Sequence, residues 1–193
     1  MVAREGLSQL IEDTRLNCEI GTADYTINSV TYWTDDQIER ELDRQRRDVR
    51  MEPLMMEREY SNGTVEYRDY YWRYPHVEEF GTADPEIFHL EDSNGSVIAP
   101  NDYTVNYEAQ HIRFSADQVG SVRYLTYRAY DLNRVAATIW KKKAGHVAGR
   151  IDVQTDNHNI KGSQLRQQYM KMAAQFMSAS KPKTVTMVRS DLR

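Results

Sequence analysis

Apolar periodicity changes twice along this chain, and that swap constrains the fold more than any single motif. Helical spacing runs from residue 3 to about 51, a tyrosine-rich strand pattern fills about 54 to 130, and helical spacing returns until about 179. The pattern predicts an α+β protein with about four helices in a helical body, residues 1–53 and 131–182. An antiparallel β-sandwich-like module is expected as an insert at 54–130, and residues 183–193 as an extended C-terminal arm.

The first helix is expected over 3–16, with Leu7, Leu10 and Ile11 at i, i+3, i+4 spacing and Arg4, Glu5, Glu12 and Asp13 on the polar face. A loop containing Gly21 runs on to Tyr32. The segment WTDDQI then carries the clearest helix start: Thr34 as N-cap and Gln37 three residues later form a capping box. Trp33 and Ile38 flank the cap at staple positions, and Asp35 and Asp36 suit the helix dipole. This helix is predicted to reach about Met51, with Ile38, Leu42 and Val49 as a narrow stripe and Pro53 as its stop. Acids interleave its arginines, so a solvated face is favoured over a nucleic-acid contact.

The third helix is expected from Asp131 as N-cap to about Lys143, with Leu132, Val135, Ala136, Ile139 and Trp140 as a wide core stripe. Lys141, Lys142 and Lys143 then complement the C-terminal dipole, and Gly145 and Gly149 break the pattern. The link RIDVQTDNHNIKG holds Asp156 and His158 without a third ligand at metal spacing. Ser163 caps a last helix over 164–179, with Leu165, Tyr169, Met172, Ala173 and Phe176 on one face and Met170 and Met177 alongside. Pro182 stops it. In the arm, Val185, Met187 and Val188 fit a strand added to another surface, with a frayed terminus as the alternative.

Ten of the 13 tyrosines lie between Tyr60 and Tyr130, as pleated surfaces favour. Asn62-Gly63 and Asn94-Gly95 mark tight hairpins, and further strands are expected at 103–108, 111–115 and 121–129. Both Asn-Gly pairs also spell glycosylation sequons, but with no leader pattern in MVAREGLSQLIEDTR the turn reading accounts for them. Tyr70, Tyr71, Trp72 and Tyr74 supply an aromatic set able to stack on a sugar ring.

The chemistry-bearing motifs are few. Neither GxSxG, HExxH, GxxxxGK[ST] nor GxGxxG occurs, and the five histidines are scattered, so no catalytic, metal or cofactor-binding residue is assigned and no cofactor is expected. The single cysteine, Cys18, excludes an internal disulfide and reads as a half-buried apolar filler. Apolar runs are too short for a membrane span, and MVAREGLSQLIEDTR has acids where a signal peptide needs an unbroken apolar stretch, so the protein is expected to stay in the cytoplasm where it is made. Charge is divided: residues 131–193 hold 12 basic and 4 acidic residues, a net of +8, against −12 over residues 1–130. Such a division orients a subunit between differently charged partners, or is two solvated faces that differ.

In order, SQLIEDTR, WTDDQIERELDRQRRDV, YRAYDLNRVAATIWKKKA, DVQTDNHNIKGSQLRQQYMKMAAQF and MVRSDL resemble the head-to-tail connector (adaptor) proteins of tailed bacteriophages, in a version with a β insert. The resemblance spans nearly the whole chain as a pattern of helix starts and lengths, without a diagnostic motif, and the insert departs from the all-helical members. It implies a virion structural protein of the neck, made in the host cytoplasm. Copies of it would form a ring, usually a dodecamer, docked on the portal protein and presenting a platform to a downstream neck or tail protein. Genomic DNA would pass through the lumen without specific binding. The resemblance places the portal or subunit interface on Leu165, Tyr169, Met172 and Phe176 and on Val185, Met187, Val188 and Arg189 of the arm. Acidic lumen surfaces would let phosphates slide, since basic contacts hold them with strong salt dependence. Two further readings stay open: a carbohydrate- or ligand-binding β module of a phage or bacterial assembly, and a DNA-binding accessory acting through the basic last third.

Overall fold

A computed structural model describes residues 3–21, 23–27, 29–61, 63–79, 87–148, 153–155, 158–160 and 162–180. The protein is α+β, with its helices and antiparallel strands interspersed. Two compact units divide at Leu132: Met1–Leu132 and Asn133–Arg193.

In the first unit a short 3-10 turn, Glu5–Leu7, leads into α1, Ser8–Asn17. Leu7, Leu10 and Ile11 are buried as their spacing requires, and Thr14 joins them by donating its hydroxyl to the Leu10 carbonyl at 2.7 Å. Cys18 is fully buried rather than half-buried, and its backbone N–H closes the helix onto Thr14 and Arg15. The stretch expected as a loop before Tyr32 contains a hairpin of two three-residue strands, β1 Tyr25–Ile27 and β2 Val30–Tyr32, whose terminal tyrosines stack at 5.3 Å.

Helix α2 spans Asp35–Arg44, starting where predicted and ending seven residues early. Gln45 leaves helical geometry, and Arg46–Pro53 becomes strand β3, so Val49 belongs to a sheet and Pro53 ends a strand. The charged run has too few apolar residues to hold a longer helix onto a core, and pairing with a distant strand supplies its hydrogen bonds instead. Pro53 is tolerated because β3 is an edge strand. A register shift between Val49 and Glu52 accommodates Met51 at φ +50°, where its N–H donates to the Thr126 hydroxyl at 3.1 Å.

Two sheets carry the rest of this unit. One is ordered β3, β9 (Tyr124–Tyr130), β6 (His89–Glu91), and the other β4 (Met55–Ser61), β5 (Thr64–Tyr71), β8 (His111–Phe114), β7 (Tyr103–Asn106). Ser61 opposes Thr64 across Asn62-Gly63, and Gly63 takes φ +81°, the two-residue hairpin expected of that pair. At the second Asn-Gly pair Asp92 builds the turn: one carboxylate oxygen accepts from the Asn94 and Ser96 N–H groups, and these bonds hold its pKa down. Tyr70, Ile112, Phe114, Leu90, Leu125 and Tyr127, drawn from both sheets, form one apolar core with Leu54, Trp72 and Phe88. Alternation is visible in β9, where Leu125, Tyr127 and Ala129 are buried and Thr126 and Arg128 are not.

The second unit contains α3, Leu132–Val147, of which Leu132 itself lies in the first unit, a hairpin of β10 Val153–Thr155 and β11 His158–Ile160, and α4, Gly162–Ala179. Helix α3 runs a turn beyond Lys143 and includes Gly145, so the lysines do not form its last turn. Lys143 is 3% exposed, with its ammonium 4.6 Å from the Trp140 ring centroid and 5.9 Å from that of Tyr169. Ser163 lies inside α4, one residue past its first.

Candidate functional site

The predicted interface residues of α4 are partly covered. Leu165, Tyr169, Met172 and Phe176 are half-buried, Met170 is 46% exposed, and only Gly162 and Ala173 of the helix are buried. Tyr169 tilts against Trp140 at 5.2 Å, so one point of the stripe is fastened while the rest stays accessible. Val185, Met187, Val188 and Arg189 lie outside the described residues, as does Asp156.

The helix-start residues behave as capping elements in altered form. Thr34 makes no side-chain cap bond; the Gln37 amide oxygen instead accepts from the Trp33 N–H at 2.5 Å, and its amide N–H donates to the Thr31 carbonyl at 3.2 Å. Trp33 sits at φ +66°, and the two Gln37 bonds hold that turn against β2. Trp33 and Ile38 are both buried, as staple partners should be.

Sequence spacing gave no hint of the polar joint where the helices meet β9. Glu78 is 1% exposed and accepts from the Tyr130 hydroxyl at 2.6 Å, with Arg4 at 3.6 Å and Arg128 at 3.7 Å. Arg4 also pairs with Glu39 at 2.9 Å and with Asp43. Residues 76–78 pair alongside the end of β9, with Val77 opposite Ala129 and the Glu78 N–H on the Arg128 carbonyl. The Glu79 N–H then donates to the Gly6 carbonyl at 3.0 Å, where any side chain at Gly6 would meet the Glu79 oxygen. Burial, and then Glu78, raise the Tyr130 pKa. The charges of this cluster pair within the chain, while Arg4 Nε and Glu78 Oε1 are buried without a hydrogen bond, and the cluster is a structural joint.

On the four-stranded sheet, Asp69 receives His111 at 2.6 Å and both Arg113 contacts at 2.8 and 3.0 Å, while Arg113 reaches Glu59 at 3.0 Å. The neighbouring carboxylates raise the Arg113 pKa, Asp69 most and then Glu59. With its carboxylate occupied on both sides, Asp69 orders a sheet face. On the other sheet, Arg46, Asp48, Arg50, His89, Glu91, Thr126 and Arg128, with Met51 and Val97, line an open groove of about 860 Å³. Asp48 sits 3.0 Å from Arg46 and 3.6 Å from Arg128, and His89 sits 3.4 Å from Glu91, so the groove carries groups of both signs close together. Among the described residues no group of three or more His, Cys, Asp or Glu side chains is placed to hold a metal ion. None of the described helices is long and apolar enough to cross a membrane.

The aromatic set considered for sugar stacking is dispersed. Tyr70 and Trp72 are core residues, Tyr71 packs on His111 and donates to Glu57 at 2.8 Å, and Tyr74 lies beneath Arg47 at 4.5 Å. Comparison with protein-family models, curated proteins and solved structures finds no match.

Proposed function

We propose that this chain is an assembly protein of the head-to-tail adaptor type: a subunit of a ring that docks on a portal, extends its DNA channel and carries the next neck or tail component. The observation that carries the reading is α4, eighteen residues long with two buried, whose apolar stripe is left half-covered by its own chain. A helix of that kind needs a partner surface, and Leu165, Tyr169, Met172 and Phe176 are the residues assigned to the portal or a neighbouring subunit, with the arm continuing the contact. The two sheets sharing one apolar core support a sandwich in the β module. The grouping of residues 1–53 with 131–182 as one adaptor body belongs to the same proposal. The burial of Tyr70 and Trp72 removes half of the platform on which the carbohydrate alternative relied.

Native mass spectrometry of the chain, alone and mixed with a candidate portal ring, tests the reading. A stoichiometric ring on the portal that is lost on deleting residues 183–193 is the expected result. A monomer indifferent to the portal overturns it.

A further inference from the structure

The groove on the three-stranded sheet holds an excess of unspent hydrogen-bond donors. Strand β9 turns Thr126 and Arg128 away from the core, and its neighbours set Asp48 opposite Arg128 and His89 opposite Thr126. Asp48 is engaged by Arg46, whose Nε lies 3.0 Å from one carboxylate oxygen and whose terminal nitrogen donates to the other at 3.3 Å. Glu91 lies 3.4 Å from His89, and its second oxygen is shut away from solvent. Arg128 comes no closer than 3.6 Å to Asp48 and 3.7 Å to Glu78, so its guanidinium is attracted to both without donating a hydrogen bond to either. Thr126 accepts from the Met51 N–H at 3.1 Å, which leaves its own hydroxyl proton without an acceptor among the described residues. Arg50, exposed and with no partner among the described residues, completes the set.

Three features set this groove apart from a solvated sheet face. The register shift between Val49 and Glu52 and the positive φ of Met51 place Arg50 and Met51 in a bulge, a device that re-aims side chains beside binding sites. Residues 1–130 carry a net charge of −12, yet the groove is lined by Arg46, Arg50, Arg128 and His89 against Asp48 and Glu91. Its volume of about 860 Å³ falls within the range of about 300–1,000 Å³ of small-ligand sites, and the exposed Met51 and Val97 offer apolar contact in it. We infer that the groove binds a phosphate ester, with Arg50, Arg128 and the Thr126 hydroxyl donating to the phosphate oxygens. Three separate donors on two strands suit a tetrahedral phosphate, which offers oxygens in three directions, where a carboxylate offers two in one plane. The apolar side chains take the organic part of the ester. The inference is independent of the adaptor reading.

Isothermal titration calorimetry of the full chain at low salt tests it, with adenosine monophosphate, adenosine, inorganic phosphate and a short DNA duplex as probes. Adenosine monophosphate should bind and adenosine should not; inorganic phosphate should compete, and added salt should weaken the binding. Arg50→Ala should cut the affinity by about tenfold, the loss of one charge-assisted hydrogen bond. Arg58→Ala, which removes an exposed arginine of the other sheet, should leave it unchanged. Circular dichroism should match the native chain for both variants, since neither side chain has a partner among the described residues. Binding of the duplex that falls in the same way with Arg50→Ala, without binding of the mononucleotide, would keep the phosphate site and assign it to a nucleic-acid backbone. Adenosine binding as tight as that of its phosphate, equal losses in both variants, or no binding of any phosphate probe overturns the inference.

Discussion

Helices α3 and α4 are nearly equal in length and opposite in burial. Nine of the sixteen residues of α3 are buried, against two of eighteen in α4, so among the described residues α3 is largely covered and α4 largely open. Both helices are rich in apolar residues, and the difference lies in how much of that surface the chain itself covers. A helix whose wide apolar stripe is covered belongs to a core, whereas an open stripe is what the proposed interface rests on. The joint around Glu78 makes the same point within the first unit: every charge there has a partner inside the chain, while the β4–β5 hairpin keeps its apolar face open.

The largest expected effect sits on the closed side of that comparison. Ile139→Ala, at a fully buried α3 position, should cost about 2–5 kcal/mol in chemical denaturation. A loss below about 0.5 kcal/mol would show that α3 is as loosely held as α4. Next comes Gly6→Ala, where the added methyl meets the Glu79 carbonyl and should cost about 1–3 kcal/mol, read in the same way. Unchanged stability there would mean that the 3-10 turn is not pressed onto residues 78–79.

Alkaline titration probes the closed core without a substitution. Burial, and then Tyr107, push Tyr103 up to about 12, and Tyr127 and Tyr130 are raised too, by burial first and then by Glu52 and Glu78. The native state binds these protons more tightly than the unfolded chain, whose tyrosines ionise near 10. Their stabilisation is complete below pH 10 and is lost as pH rises toward 12. The melting temperature should fall over that interval, and Tyr103→Phe should flatten the fall; an equally steep fall in that variant would show that Tyr103 is not the group responsible. The smallest effect belongs to the open side: Met170→Ser should change stability by less than about 0.5 kcal/mol, and a loss of several times that would place Met170 in a core.

Much of the fold was legible where local chemistry decides it. Asn62-Gly63 announced its hairpin because a two-residue loop with positive φ has few other solutions, and the Thr34 to Ile38 segment announced its helix start. Strand β3 was not legible: Ile38, Leu42 and Val49 fit one helical stripe, and only pairing with β9, 71 or more residues away, makes Arg46–Pro53 a strand. The three-residue strands of β1–β2 and β10–β11 are too short to leave a period. The Glu78 joint was hidden for the same reason as β3, since its partners lie 74 residues away at Arg4 and 52 away at Tyr130. The α4 stripe Leu165, Tyr169, Met172 and Phe176 could be read from its spacing, but spacing cannot say whether a stripe is covered.

Amide hydrogen exchange on the full chain, free and mixed with a candidate portal ring, tests the central claim most directly. The account predicts slow exchange along α3 in both samples, and along α4 faster exchange in the free chain that slows on assembly. Exchange along α4 as slow as along α3 in the free chain, and unchanged by the portal, would contradict it.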